Sequence, residues 1–229
     1  MFMRGKQHNR LPEKQASLVE NFRPRNKKQA QLVQLIENNE VVIAKGVPGT
    51  GKTYVTLATA LNLLGKTYKK LILVKSVTTL PGEEIGFLKG GMEEKMEPFM
   101  MSYVWNIDKI CGEGSARGLM DKNVLQILPL AFIRGLSIDD SIVIIDEAQN
   151  IDKHTFKTIM TRIGENSKYI FLGDTEQIDR KYEEESCLET IITIFSDSDI
   201  IKTIEFVDED CVRNPIIPPI LTLLRNHNI

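Results

Sequence analysis

The chain has 229 residues and a mass of 26.0 kDa, with 42% hydrophobic and 26% charged side chains, which suits a soluble globular domain with a sizeable core. No apolar run nears the roughly 20 residues that span a bilayer, and the basic start MFMRGKQHNR has no apolar stretch behind it, so neither a membrane anchor nor a secretory signal is expected. Cys111, Cys187 and Cys211 are odd in number, widely spaced and unclustered with the three histidines, which excludes a disulfide scaffold or zinc module and fits a reduced cytoplasm.

Charge is uneven. Residues 1–28 carry eight basic and two acidic side chains, net +6; the remainder is net −8. Residues 1–23 are read as a basic, flexible arm suited to an anionic partner. Residues 24–229 are read as one domain. In chain order, VVIAK (41–45) predicts a buried strand and 53–65 a helix closed by Gly65. KLILVKS (70–76) predicts a strand, 93–110 a helix, and LPLAFIRG (128–135) either a strand or a helix end. A strand opens SIVIIDEAQ (141–149). An amphipathic helix over 152–163 places Phe156, Ile159, Met160 and Ile163 on one face. Strands follow at 168–174 and 199–207, and a last helix begins after Asn214 with Pro215 in its first turn. The strands are nearly continuous apolar runs between helices. That pattern predicts an α/β fold, a mostly parallel sheet with helices on both faces, whose ligands bind at the carboxyl ends of the strands.

Those ends carry the chemistry. Gly46-Val47-Pro48-Gly49-Thr50-Gly51-Lys52-Thr53 satisfies G-x-x-x-x-G-K-[ST] between a predicted strand and helix. Its glycines let backbone N–H groups face an anion, and the helix adds its positive end. Lys52 reaches β- and γ-phosphates, and the Thr53 hydroxyl is a Mg²⁺ ligand. The strand 142–145 runs into Asp146 and Glu147. Asp146 is a candidate for the metal, and Glu147 for orienting or deprotonating an attacking water. A second acid favours hydrolysis over transfer to a small acceptor. Gln177, beyond the 168–172 strand, is a candidate γ-phosphate sensor, although a polar turn capped by Asp174 would read the same.

Several blocks together resemble the PhoH-like family of P-loop ATPases, related to the nucleotide-binding half of superfamily 1 helicases. They are GVPGTGKT, LPGEEIGFLKGGMEEKMEPF (81–99), LPLAFIRG, IVIIDEAQN (142–150), TRIGENSKYIFLGDTEQID (161–179) and CVRNPII (211–217). The resemblance runs from about Pro24 to Leu224. It implies a P-loop NTPase fold, ATP and Mg²⁺ as ligands, a link to single-stranded RNA or DNA, and a ring-like homo-oligomer such as a hexamer. It also implies Gln29 as an adenine-reading glutamine, the other reading being a solvated helix position. The chain departs from the family pattern at Lys75-Ser76, Thr175-Glu176 and Asn214, where the family usually has Arg-Pro, a proline and a histidine. Charge developing on the γ-phosphate calls for an arginine. Arg213 is the candidate within the chain, and Arg162 the candidate acting across a subunit boundary. Tyr103 and Trp105 read as core or subunit packing, and the apolar tail from Pro218 as a segment that docks on the body or a neighbour. The expected function is Mg²⁺-dependent ATP hydrolysis in the cytoplasm, coupled to RNA as an oligomer. The alternatives are a nucleotide-gated RNA-binding module with little turnover, and a small-molecule kinase.

Overall fold

The computed structural model describes residues 18–19, 22–76, 92–133, 137–175, 177–178 and 186–227. Most of the expected basic arm, residues 77–91 with most of the LPGEEIGFLKGGMEEKMEPF block, and residues 179–185 lie outside the described residues.

Six strands, β1 (Val41–Gly46), β2 (Lys70–Lys75), β3 (Leu125–Pro129), β4 (Ser141–Asp146), β5 (Lys168–Gly173) and β6 (Ile201–Phe206), form one sheet in the order β3-β2-β4-β5-β1-β6. Every pairing is parallel. Alternate residues of each central strand enter opposite cores. Val42, Ala44, Ile142 and Ile144 face one, and Val41, Ile43, Val143 and Ile145 face the other. Both faces exclude water, which explains why these strands read as unbroken apolar runs.

The first core is closed by α1 (Lys27–Asn38), α2 (Lys52–Leu63), α3 (Met92–Cys111) and α4 (Ser115–Asp121), through residues such as Leu32, Leu57, Ile107 and Ala116. The second is closed by α5 (Leu130–Ile133), α6 (Lys153–Met160) and α7 (Leu188–Phe195), through Ile133, Ile159 and Ile191. Gly65 lies just past α2 with φ +78°, the left-handed stop expected of it.

Three expectations change in detail. The ambiguous 128–135 run is both things in turn: β3 ends at Pro129, and a short helix follows from Leu130. The helix expected over 152–163 ends at Met160, and Ile163 instead pairs with Ile138 in an isolated bridge. The last helix, α8 (Ile217–Asn226), carries Pro218 rather than Pro215 in its first turn. Asn214 forms a tight turn ahead of it, its side chain accepting from the Ile216 N–H at 3.1 Å. No residue of α8 is fully buried: Ile217, Pro218 and Leu221 are half-buried, while Ile220, Leu223 and Leu224 are exposed. An ion pair between Arg225 and Asp208 at 2.5 Å also tethers the helix.

Candidate functional site

The strand order determines where the site forms. β5 lies between β1 and β4, so the ends of three adjacent strands face the same space. A cleft of about 610 Å³ opens there, lined among others by Gln29, Gly49, Lys52, Thr53, Asp146, Glu147, Asp174, Gln177 and Arg213. That volume is in the range of small-molecule sites.

The β1–α2 loop is shaped by glycines. Gly46 has φ +136°, and a Cβ there would meet the Phe206 carbonyl oxygen at 2.0 Å. Gly51 caps α2 at φ +80°, with the Gln29 amide where a Cβ contact would be, at 2.9 Å. The Thr50 hydroxyl donates to the Val47 carbonyl at 3.0 Å and ties the loop to itself. The Lys52 ammonium donates to the carbonyls of Gly46 and Val47. Burial pulls its pKa down, and the charges of Asp174, Asp146 and Glu147 oppose that.

Asp146 ends β4. Its Oδ2 accepts from the Tyr103 hydroxyl at 2.9 Å, and its Oδ1 from the Glu147 N–H at 3.0 Å. Burial, then the neighbouring Glu147 charge, holds its carboxyl above the usual range. Burial likewise pushes the Tyr103 phenol far up, so it remains a donor. Glu147 is left-handed, with φ +58° and ψ +40°. For a non-glycine residue this conformation costs about 1–3 kcal/mol and is typical of functional sites. It turns the chain from β4 into a 3₁₀ turn over Ala148–Asn150.

Gln149, 1% exposed, is a site residue that sequence reasoning misses. Its Nε2 donates to Glu147 Oε2 at 2.7 Å and to the Gln177 carbonyl at 3.3 Å, while its Oε1 accepts from the Asp174 N–H at 3.0 Å. One side chain therefore joins the ends of β4 and β5. Gly173 makes room for it, since a Cβ there would crowd the Gln149 backbone nitrogen and Oε1, both at 3.2 Å. The available signal is an amide close behind a pair of acids on a strand end. Tyr103 is buried, as packing requires, but its hydroxyl also touches the site, which the packing expectation does not include. Trp105, two residues on, is 69% exposed.

Gln29 is not a solvated position. It is buried, with Oε1 accepting from the Arg25 N–H at 2.8 Å and Nε2 donating to the Thr50 carbonyl at 2.9 Å. It braces the loop and lines the cleft. Gln177 has an exposed side chain on the cleft wall, and its N–H donates to the Asp174 carbonyl at 3.0 Å. Arg213 reaches the cleft on a strap tied to the loop: the Val212 N–H donates to the Gly49 carbonyl at 3.0 Å, and the Arg25 guanidinium to the Val212 carbonyl at 3.2 Å. Arg162 is elsewhere. Its carbonyl accepts from the hydroxyl of Tyr169, the second residue of β5, at the amino end of the sheet. Within one chain it is therefore remote from the cleft.

The cleft lining also includes an aromatic pair: Phe22 and Tyr54 have ring centroids 6.2 Å apart, and the Lys109 ammonium lies 5.9 Å from the Tyr54 centroid. Aromatic rings with a cation nearby can take a nucleobase. As for metal, no cluster of three or more His, Cys, Asp or Glu suited to an ion occurs among the described residues. The Asp146 carboxylate and the Thr53 hydroxyl are hard oxygen donors that both line the cleft. Such a sparse oxygen set fits Mg²⁺, which takes one or two protein oxygens and completes its shell with phosphates and water.

Residues 21–225 match the family model described as PhoH-like protein. A PhoH-like protein of Bacillus subtilis (strain 168) is 33% identical over 200 residues, covering 87% of this chain and 63% of that protein. Protein PhoH2 of the same organism is 41% identical over 171 residues, covering 70% of this chain and 38% of that protein. The chain thus spans less than two thirds of the length of either relative. Among solved structures, a large terminase from a thermophilic bacteriophage overlaps with a TM-score of 0.49 at 13% identity, over 82% of this chain and 47% of that one. No helix among the described residues is long and apolar enough to cross a membrane.

Proposed function

The chain belongs to the PhoH-like family of P-loop NTPases, and on that premise we propose that it binds ATP with Mg²⁺ and hydrolyses it. The observation that carries this reading is the convergence of Lys52, Asp146, Glu147 and the Gln149-bridged turn on one cleft. In this account the triphosphate lies along the β1–α2 loop, and Lys52 exchanges the Gly46 and Val47 carbonyls for phosphate oxygens. Asp146 and Thr53 hold Mg²⁺. When bound, the ion neutralises charge that develops on the phosphates. Glu147, held by Gln149, accepts a proton from the attacking water. Gln177 reports the γ-phosphate, Arg213 stabilises charge on it, and Gln29 meets the adenine side of the loop.

The finer reading is that turnover is coupled to single-stranded RNA or DNA in a homo-oligomer. Its support is the family pattern together with exposed Ile220, Leu223 and Leu224 on α8, an apolar face that the described residues leave uncovered. The test is phosphate release from ATP by the wild type and Lys52→Ala, with and without single-stranded RNA, beside a mass from light scattering. Free phosphate should appear without an added acceptor and be lost in Lys52→Ala, RNA should stimulate it, and the mass should exceed one chain. Phosphate appearing only on an acceptor would make the protein a kinase. A monomer with ATP bound would remove the oligomer.

A further inference from the structure

We infer that Tyr103 is a positioning residue that orients the Asp146 carboxylate and thereby joins α3 to the metal side of the cleft. The inference rests on the nucleotide reading above and adds a part to it.

A lone carboxylate at a strand end rotates about its terminal torsion with little resistance. Asp146 does not have that freedom. One oxygen accepts from the Glu147 N–H and the other from the Tyr103 hydroxyl, so its plane is held from both sides. Each oxygen keeps a further lone pair for a metal or its water. Packing alone does not call for the hydroxyl, because a phenylalanine ring would fill the same space beside the core. A buried phenol needs a partner, and here the partner is the Asp146 carboxylate. Hydrogen-bond partners behind a metal ligand commonly decide how well that ligand binds.

The location of Tyr103 gives the contact its reach. α3 follows β2 and supplies none of the three strand ends. Ile107, fully buried, fixes the helix on the core. Asn106 and Lys109 of the same helix line the cleft, Lys109 with its ammonium 5.9 Å from the Tyr54 ring centroid. At 1.5 Å per residue, Tyr103 and Lys109 are about 9 Å apart along the axis. One helix therefore carries both the Asp146 contact and the cation beside Tyr54.

The test measures Mn²⁺ affinity, by electron paramagnetic resonance of the free ion, for the ADP-bound wild type, Tyr103→Phe, Ile107→Val and Asp146→Asn. ADP affinity without metal is measured in parallel. The expected result is roughly a tenfold or greater loss of Mn²⁺ affinity in Tyr103→Phe, with metal-free ADP binding unchanged. Ile107→Val, a packing change on the same buried face, should bind Mn²⁺ like the wild type. Tyr103→Phe matching the wild type would overturn the proposal, and so would an equal loss in Ile107→Val. If Asp146→Asn retained full Mn²⁺ affinity, the failure would lie in the nucleotide–metal reading. Loss in Asp146→Asn with none in Tyr103→Phe would sink the Tyr103 role alone.

Discussion

Gln149 and Glu147 are joined side chain to side chain, the amide Nε2 of one donating to the carboxylate Oε2 of the other at 2.7 Å. The same amide accepts from the Asp174 N–H, so the proposed base is tied to the neighbouring strand end. Gln149→Ala leaves Glu147 unanchored and a buried N–H without its acceptor. Unfolding in urea should show a loss of about 1–3 kcal/mol. Steady-state kinetics should show kcat down by up to about 10²-fold with little change in KM for ATP, the mark of a misplaced base.

The loop depends on a glycine no other residue can replace. In Gly46→Ala the new methyl would overlap the Phe206 carbonyl oxygen, at a φ of +136°. The expected cost is about 2 kcal/mol or more. Gly118, inside α4 with nothing within 4 Å of its Cβ position, is the control. Gly118→Ala should stabilise by up to about 1 kcal/mol. Urea denaturation of both variants checks the pair.

The two arginines separate by position. Arg213→Ala should lower kcat at saturating ATP by about 10³-fold, as loss of a charge-stabilising arginine does. Arg162 is at the opposite end of the sheet, so Arg162→Ala should leave turnover of the dilute protein unchanged. Any effect of Arg162→Ala should appear only as protein concentration rises. Turnover across a dilution series distinguishes these outcomes.

Cys187 gives a pH dependence. Its thiol is buried, donates to the Ile151 carbonyl at 3.1 Å, and burial pushes its pKa up to about 11. The unfolded chain loses that proton first, near the ordinary thiol value. Its contribution to stability is therefore complete below about pH 9 and falls as pH rises toward 11. Denaturation at pH values below and within that window should show the stability gap between wild type and Cys187→Ala narrowing on the alkaline side.

Much of the fold was legible because both faces of the sheet are buried, so each central strand announces itself as an apolar run. The β1–α2 loop was legible because its glycines take backbone conformations and close approaches that other residues do not fit, and the Asp146–Glu147 pair because two acids close an apolar strand run. What escaped depends on partners distant in sequence. Nothing local to Gln149 says that it will meet Asp174, and nothing near Tyr103 says that its hydroxyl will meet Asp146. Gln29 reads equally well as solvated until α1 is packed against Thr50. Pro215 departs from expectation for a local reason, the turn at Asn214, whereas Ile163 leaves the helical pattern for a bridge to Ile138, another partner distant in sequence.

In the proposed reaction Glu147 activates water beside a nucleotide held by Lys52. The direct measurement is Mg²⁺·ATP affinity and phosphate release, both on Glu147→Gln. Affinity should match the wild type while hydrolysis falls by about 10²–10⁴-fold. Unchanged hydrolysis in that variant would contradict that role.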